Sequence, residues 1–143
     1  ANCRRETVMQ FLRLYYWILY AAYINDPMAE VTRYTHKEEL AFRFMHYIIE
    51  EHSPDKDVTY YARKLGLSAK SLTNLIRSIS GQSARDWIVF YTIFEIKTLL
   101  RDSSLDIKAI AARTHFPDHA TLSRYFRRYT GMTPTKYRES FFF

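Results

Sequence analysis

Apolar residues recur every three or four positions along most of the chain, which is the spacing of helices that bury one face. Between residues 106 and 138 this pattern predicts a short helix, a turn, a second helix, a glycine stop and a capped final helix. The apolar stripe of the first helix consists of Ile107, Ile110 and Ala111. The stripe of the second helix consists of Leu122, Tyr125, Phe126 and Tyr129.

The opposite face of the second helix is rich in hydrogen-bond donors, namely His119, Ser123, Arg124, Arg127 and Arg128. A buried helix followed by a donor-rich helix is typical of a helix-turn-helix, whose second helix enters the major groove of DNA. An ordinary amphipathic helix pair with a solvated basic face fits this stretch equally well.

A second copy of the pattern lies about 50 residues earlier, over residues 57–88. When one extra residue is allowed in the turn of the second copy, small, apolar, basic and glycine residues fall at equivalent positions in the two copies. The matching pairs are Ala62/Ala111, Gly66/His115, Leu67/Phe116, Leu72/Leu122, Asn74/Arg124, Arg77/Arg127, Gly81/Gly131, Ser83/Thr133 and Trp87/Tyr137. The duplication favours a tandem helix-turn-helix over an isolated helix pair.

The turns and helix ends of the two copies follow the same local chemistry. Gly66 supplies a left-handed turn residue, and histidine is among the side chains that tolerate this conformation at the matching position. Gly81 and Gly131 are predicted to end the second helix of each copy. Between the copies, residues 87–100 form a helix that is apolar on nearly every side, so we expect an interior spacer between the two recognition helices.

Polar residues are placed to cap the helices of both copies. Ser68 and Asp118 are expected N-caps of the two recognition helices. Ser83 with Asp86, and Thr133 before a proline, are expected to begin the helices that follow. The backbone amides at these last two helix starts are candidate phosphate ligands.

The front of the chain, residues 1–52, predicts a helical hairpin. A strongly apolar helix over residues 8–23 ends at Asp26-Pro27, and Thr35 with Glu38 forms a capping box for the second helix. The hairpin carries more apolar surface than two helices cover, so we expect it to form a homodimer or to pack on a further domain. The alternative is that it folds back on the basic domain.

Composition favours an all-α protein of one or two small domains. Three glycines and four prolines in 143 residues leave few helix breaks. The single cysteine excludes a disulfide framework or a cysteine zinc site and suits a reducing cytoplasm. The longest apolar run is eleven residues, shorter than the roughly 20 that a membrane span needs, and no signal peptide is visible.

Charge is distributed unevenly along the chain. Residues 1–53 hold six basic and seven acidic residues, a net charge of −1, whereas residues 54–143 hold fifteen and eight, a net charge of +7. The positive excess therefore lies in the tandem repeat, as in a protein that binds a polyanion.

The segment IKAIAARTHFPDHATLSRYFRRYTGMTPTKYR resembles the signature of AraC/XylS-type transcription regulators, and the resemblance covers about residues 54–139. It implies a homeodomain-like tandem helix-turn-helix domain of about seven helices over residues 53–143, preceded by the hairpin. It also implies a cytoplasmic, sequence-specific regulator whose partners are double-stranded promoter DNA, a second subunit through residues 1–52, and RNA polymerase. His115 departs from the family's usual glycine.

The resemblance implies functional roles for the residues of this chain that match the family's DNA-contacting positions. The base-reading positions fall on Lys70, Thr73 and Asn74 in the first recognition helix, and on His119, Ala120, Ser123 and Arg124 in the second. The expected phosphate contacts are Arg77, Ser83, Arg127, Arg128, Thr133 and Arg138. If the two helices read one face of DNA, they should lie about 34 Å apart along the duplex.

Other classes of function fit the sequence less well. No nucleophile motif, glycine-rich phosphate loop or metal-ligand pair of histidines is present, so we expect no enzyme, cofactor or metal site. A helical protein-interaction module with a basic face is the alternative. RNA binding on an aromatic sheet platform is not predicted.

Overall fold

The computed structural model describes residues 35–142, and within this range it contains seven α-helices and no strand. The helices are α1 His36–Glu51, α2 Val58–Lys64, α3 Ala69–Ser80, α4 Ala84–Leu100, α5 Ile107–Arg113, α6 His119–Thr130 and α7 Pro134–Phe142. The all-α prediction is confirmed. The predicted helix over residues 8–23 and its stop at Asp26-Pro27 lie outside the described residues.

Helix α4 is the centre of this unit. It packs against each of the other six described helices. Its C-terminal half contributes Ile96 and Leu100 to a core that also contains Ile110, Ala111, Phe116, Leu122 and Phe126. Its N-terminal half buries Trp87 and Ile88. The sequence prediction of an interior spacer helix agrees with this position, because a helix with apolar residues on nearly every side needs neighbours all round.

Helix α1 packs within the same compact unit, which begins at His36. Leu40, Phe44 and Ile48 are buried along one side of α1. The ring of Phe44 meets the ring of Tyr61 edge to face at 5.8 Å. Helix α1 falls within residues 1–52, the region that the sequence pattern predicts as a hairpin preceding the repeat. In the structure this helix packs on the repeat, because its apolar stripe is covered by α2, α3 and α4.

The two copies have nearly identical backbone hydrogen bonds at their turns. The amide of Leu67 donates to the carbonyl of Ala62, and the amide of Phe116 donates to the carbonyl of Ala111, each at 2.9 Å. The residue before each donor has a positive φ, 70° at Gly66 and 61° at His115. The predicted left-handed turn is thus present in both copies, including the copy that lacks glycine there.

The helix starts and stops also agree with the predictions. Ser68 and Asp118 cap α3 and α6 by accepting a backbone N–H at 3.0 and 2.6 Å. Gly81 and Gly131 end the same helices with φ values of 77° and 78°. Ser83 forms a reciprocal capping box at the start of α4. These contacts satisfy amides and carbonyls that a helix end leaves unpaired.

A polar cluster fastens the end of α1 to α2. The Glu51 carboxylate accepts a hydrogen bond from the Tyr60 hydroxyl at 2.8 Å and another from the Lys64 ammonium. Lys64 also lies over the Tyr47 ring, 4.6 Å from its centroid. The hydrogen bond from Lys64, followed by that from Tyr60, lowers the pKa of Glu51. The charged form of Glu51 therefore helps to hold α1 on the repeat.

Replacing Glu51 with Gln should reduce stability at neutral pH and weaken its dependence on acid. Because the folded-state pKa of Glu51 is lowered, its contribution is present above the unfolded value of about 4.3 and is lost as pH falls through the folded value. Thermal unfolding followed by circular dichroism between about pH 3 and pH 7 measures this dependence. Glu39→Gln, at an exposed position of the same helix, is the control and should follow the unmodified protein. Parallel acid profiles for Glu51→Gln and the unmodified protein would contradict the role of Glu51.

Candidate nucleic-acid interface

The predicted base-reading residues lie on the outer faces of α3 and α6. Leu72 and Ile76 turn one side of α3 into the core, which leaves Lys70 and Asn74 exposed and Thr73 half-buried. Helix α6 repeats this division. Its buried side carries Leu122 and Phe126, and its outer side carries His119, Ala120, Ser123 and Arg124, of which only Ser123 is half-buried. Each copy therefore brings its predicted residues together on one accessible helix face.

Both outer faces are cationic. Helices α3 and α6 contain no acidic residue within their bounds. The cations are Lys70 and Arg77 on α3, and Arg124, Arg127 and Arg128 on α6. All five side chains are exposed. A phosphate approaching either helix thus meets attractive charge without a carboxylate on the same helix.

Asp118 is the acidic residue nearest to Arg124 in the sequence, and its carboxylate accepts a backbone hydrogen bond. The Thr121 amide donates to its carboxylate, and this bond is the main cause of the lowered pKa of Asp118. Arg124 instead directs a terminal nitrogen toward the Thr121 hydroxyl at 3.4 Å, a long contact. Its guanidinium is therefore largely uncommitted and available to a ligand.

The two helix starts predicted to bind phosphate differ in charge. At α4, the Asp86 carboxylate accepts the Ser83 amide at 3.1 Å and the Ser83 hydroxyl at 2.6 Å. At α7, the residue equivalent to Asp86 is Lys136, whose amide donates to the Thr133 hydroxyl at 3.2 Å. A carboxylate already occupies the first helix start, whereas a cation stands at the second. An anion is consequently favoured at Thr133 over Ser83.

Arg138 has a structural partner that the sequence did not reveal. Its Nε donates to the carbonyl of Leu100 at 3.0 Å, and a terminal nitrogen donates to the carbonyl of Asp102 at 3.2 Å. These bonds fasten α7 to the end of α4 and satisfy carbonyls beyond the helix end. Of the six expected phosphate contacts, Arg138 is the one whose guanidinium is hydrogen-bonded to backbone carbonyls in the described residues.

The profile of a helix-turn-helix domain family matches residues 61–140, more than half of the chain. This chain belongs to that family, of the AraC/XylS type. It is 36% identical over 85 residues to the transcriptional activator RhaR of Yersinia pseudotuberculosis serotype O:3, covering 59% of this chain and 29% of that protein. For RhaR of Cronobacter sakazakii the values are 32% over 83 residues, 58% and 29%. The chain thus spans under a third of the length of these curated relatives.

Solved structures share the fold of this AraC/XylS-type chain. The C-terminal domain of the response regulator yesN from Fusobacterium nucleatum superposes with a TM-score of 0.63 at 23% identity, covering 70% of this chain and 98% of that one. The DNA-binding domain of AdpA, solved with a target DNA, gives 0.60 at 24% identity, covering 71% and 91%. At these identities the similarity establishes the fold.

Two further features concern metals and membranes. Within residues 35–142, no group of three or more His, Cys, Asp or Glu side chains is arranged to hold a metal ion. No helix in the same range has the length and apolarity to cross a membrane.

One contact between the copies has no signal in the sequence pattern. Arg85, near the start of α4, interacts with the Tyr129 side chain on α6, and this interaction is the main cause of the raised pKa of Arg85. The repeat alignment could not indicate it, because the contact joins one copy to the other and has no equivalent within either.

Replacing Arg138 with Ala should lower the free energy of unfolding by roughly 1–3 kcal/mol, because two charge-assisted hydrogen bonds to α4 and its loop are lost. Urea denaturation measures the change. The matched control is Arg127→Ala, which removes an exposed guanidinium with no such partner on α4 and should leave stability within about 0.5 kcal/mol of the unmodified protein. Equal effects of the two substitutions would show that the Arg138 contacts contribute nothing to stability.

Proposed function

We propose that the chain is the DNA-binding part of a sequence-specific transcription regulator that reads two successive major-groove segments with α3 and α6. The observation that carries this proposal is the pair of cationic, acid-free helix faces held by one central helix. Family membership supports it, as do curated relatives that are transcriptional activators and a structural neighbour solved with its target DNA. The same comparisons point to regulators rather than enzymes.

Direct readout is assigned to the seven exposed or half-buried residues Lys70, Thr73, Asn74, His119, Ala120, Ser123 and Arg124. Arg124 has the geometry for two hydrogen bonds to guanine O6 and N7, and Asn74 can pair with adenine N6 and N7. Ala120, which has no polar side-chain atom, suits the methyl group of thymine. Because Arg124 and Asn74 occupy equivalent positions of the two copies, we expect the two half-sites to differ in sequence.

Phosphate binding is assigned to Arg77, Arg127, Arg128 and the start of α7 at Thr133. These groups flank the base-reading faces and fix the position of each helix in its groove. Ser83 ranks below Thr133 because Asp86 occupies its helix start. Arg138 ranks last because its guanidinium is bonded to the end of α4.

The wider assembly follows from the same proposal. A regulator of this kind works in the cytoplasm on promoter DNA and acts through RNA polymerase. We assign homodimerisation to residues 1–52, and chiefly to the apolar segment of residues 8–23, since the apolar stripe of α1 is already covered within its own compact unit. Sedimentation at several protein concentrations separates this arrangement from a monomer.

The proposed function is tested by binding to duplexes selected from a random pool, measured by fluorescence anisotropy across a salt series. We expect the logarithm of the association constant to fall linearly with the logarithm of salt concentration, with a slope of about −0.9 per neutralised phosphate. An acidic protein partner with no DNA binding would instead favour the interaction-module alternative. Failure of the folded protein to bind any duplex, even at low salt, would overturn the proposal.

Arg124→Ala and Arg127→Ala should have different effects on DNA binding. Arg124→Ala is expected to cost about 1–3 kcal/mol and to relax the preference at one base pair. Arg127→Ala should weaken all sequences about equally and reduce the salt slope by about one. Both are exposed arginines of α6, so each is the charge-matched control for the other. A uniform loss in Arg124→Ala would identify this residue as a phosphate contact.

A further inference from the structure

The end of the first recognition helix is hydrogen-bonded to the central helix. Ser80 is the last residue of α3, and its hydroxyl oxygen accepts a hydrogen bond from the indole N–H of Trp87 on α4 at 2.8 Å. Trp87 is 7% exposed, and its ring meets the ring of Phe90 edge to face at 5.8 Å. The indole is therefore held by its neighbours in the core, while its N–H reaches back across the turn to α3.

The Ser80 hydroxyl uses its full bonding capacity at this turn. It donates its hydrogen to the carbonyl of Ile76 at 2.8 Å, and the carbonyl of Gln82 is the more distant acceptor at 3.3 Å. Its oxygen accepts the backbone amide of Gln82 at 3.2 Å as well as the indole N–H. Because a hydroxyl has one hydrogen and two lone pairs, this side chain joins the last turn of α3, the turn that follows it, and α4.

The second copy forms the same turn but joins it to the next helix differently. Thr130, the equivalent of Ser80, donates to the carbonyl of Phe126 at 2.7 Å and accepts the amide of Met132 at 3.3 Å. Tyr137, the equivalent of Trp87, packs its ring edge to face on the ring of Phe126 at 5.5 Å. The aromatic residue after the turn thus donates a hydrogen bond to the helix end in the first copy and makes a ring contact in the second.

A small rotation of α3 about its C-terminal end would move its base-reading residues by about one base pair. Lys70 stands ten residues before Ser80, which is about 15 Å along the helix axis. The angles at which helices pack scatter by about 15–20° around each preferred class, so apolar packing alone specifies the angle loosely. A rotation of about 15° displaces Lys70 by about 4 Å, compared with about 3.4 Å between base pairs. A hydrogen bond, which has directional geometry, narrows this range.

We infer that Ser80 and Trp87 are positioning residues for DNA reading, because their hydrogen bond fixes the angle between α3 and α4. This inference rests on the proposed function. The second recognition helix packs on the same α4, where Phe126 lies in one core cluster with Ile96 and Leu100. The angle at Ser80 therefore sets where the first recognition helix lies relative to the second, and with it the spacing of half-sites that the protein accepts.

The experiment compares three variants on duplexes selected by the unmodified protein. Ser80→Ala removes the hydroxyl, and Ser80→Thr restores it with the residue type that the second copy carries at Thr130. Thr130→Ala is the matched control, because it removes the same bonds to a helix carbonyl and a turn amide at the equivalent helix end. Each protein is measured by fluorescence anisotropy on the selected duplex, on each half-site alone, and on a duplex with one base pair inserted between the half-sites.

We expect Ser80→Ala to bind the selected duplex about fivefold more weakly, as for the loss of one net hydrogen bond. Its affinity for each half-site alone should be unchanged, and its discrimination against the inserted base pair should fall about fivefold. Ser80→Thr and Thr130→Ala should match the unmodified protein in all three measurements. Unchanged spacing discrimination in Ser80→Ala, or equal losses on half-sites and full sites, would overturn the inference.

A second variant keeps the test decisive if Ser80→Ala fails to fold, which circular dichroism shows. Trp87→Phe removes the indole N–H but keeps an aromatic ring beside Phe90. It should reproduce the loss of spacing discrimination, and full discrimination in this folded variant would contradict the inference. Failure of the unmodified protein to bind DNA overturns the proposed function and the inference with it. Normal binding by the unmodified protein, with variants that behave like it, overturns the inference alone.

Discussion

The structure of residues 35–142 depends on the packing of its other helices around α4. Six helices from the two helix-turn-helix copies and the preceding segment pack against it and bury residues such as Trp87, Ile96 and Leu100. A helix with apolar residues on nearly every side cannot remain exposed in water, so each copy gains stability by covering it. Neither copy can shift far without exposing part of α4. The hydrophobic effect that folds the domain therefore also sets the distance between the two recognition helices.

The exposed positive charge of residues 54–143 depends on which local hydrogen bonds the acidic residues make. Of eight acidic residues after residue 53, several bond to nearby backbone or hydroxyl groups. Those that cap helices are Asp57, Asp86, Asp106 and Asp118, and those that bond to a nearby serine in turns are Asp55 and Asp102. These carboxylates are committed locally, and α3 and α6 contain no acidic residue of their own, so the arginines of these two helices have no acidic partner on the same helix. The acidic residues of this region therefore cap helices locally and leave the positive charge of α3 and α6 available to attract a polyanion.

Polar contacts supplement apolar packing where the two copies meet α4. His52 forms a hydrogen bond with the buried Thr92 of α4, and Trp87 of α4 donates to the Ser80 hydroxyl at the end of α3. Arg138 performs a similar task at the other end of α4 by bonding to its terminal carbonyl. Apolar side chains alone would define the core without selecting one position of each helix relative to α4. The directional bonds make that selection.

The sequence by itself determined the helices, their caps and stops, and the faces that bear Asn74 and Arg124, because each depends on residues within about four positions along the chain. It also determined the duplication, because the same pattern of residues recurs about 50 positions later. Only the tertiary structure decided that α1 belongs to the compact unit, that Arg138 bonds to the end of α4, and that His52 meets Thr92. These contacts join residues 36 to 40 positions apart. No periodicity encodes such pairs, since they arise from how the helices pack together rather than from the pattern within any one of them.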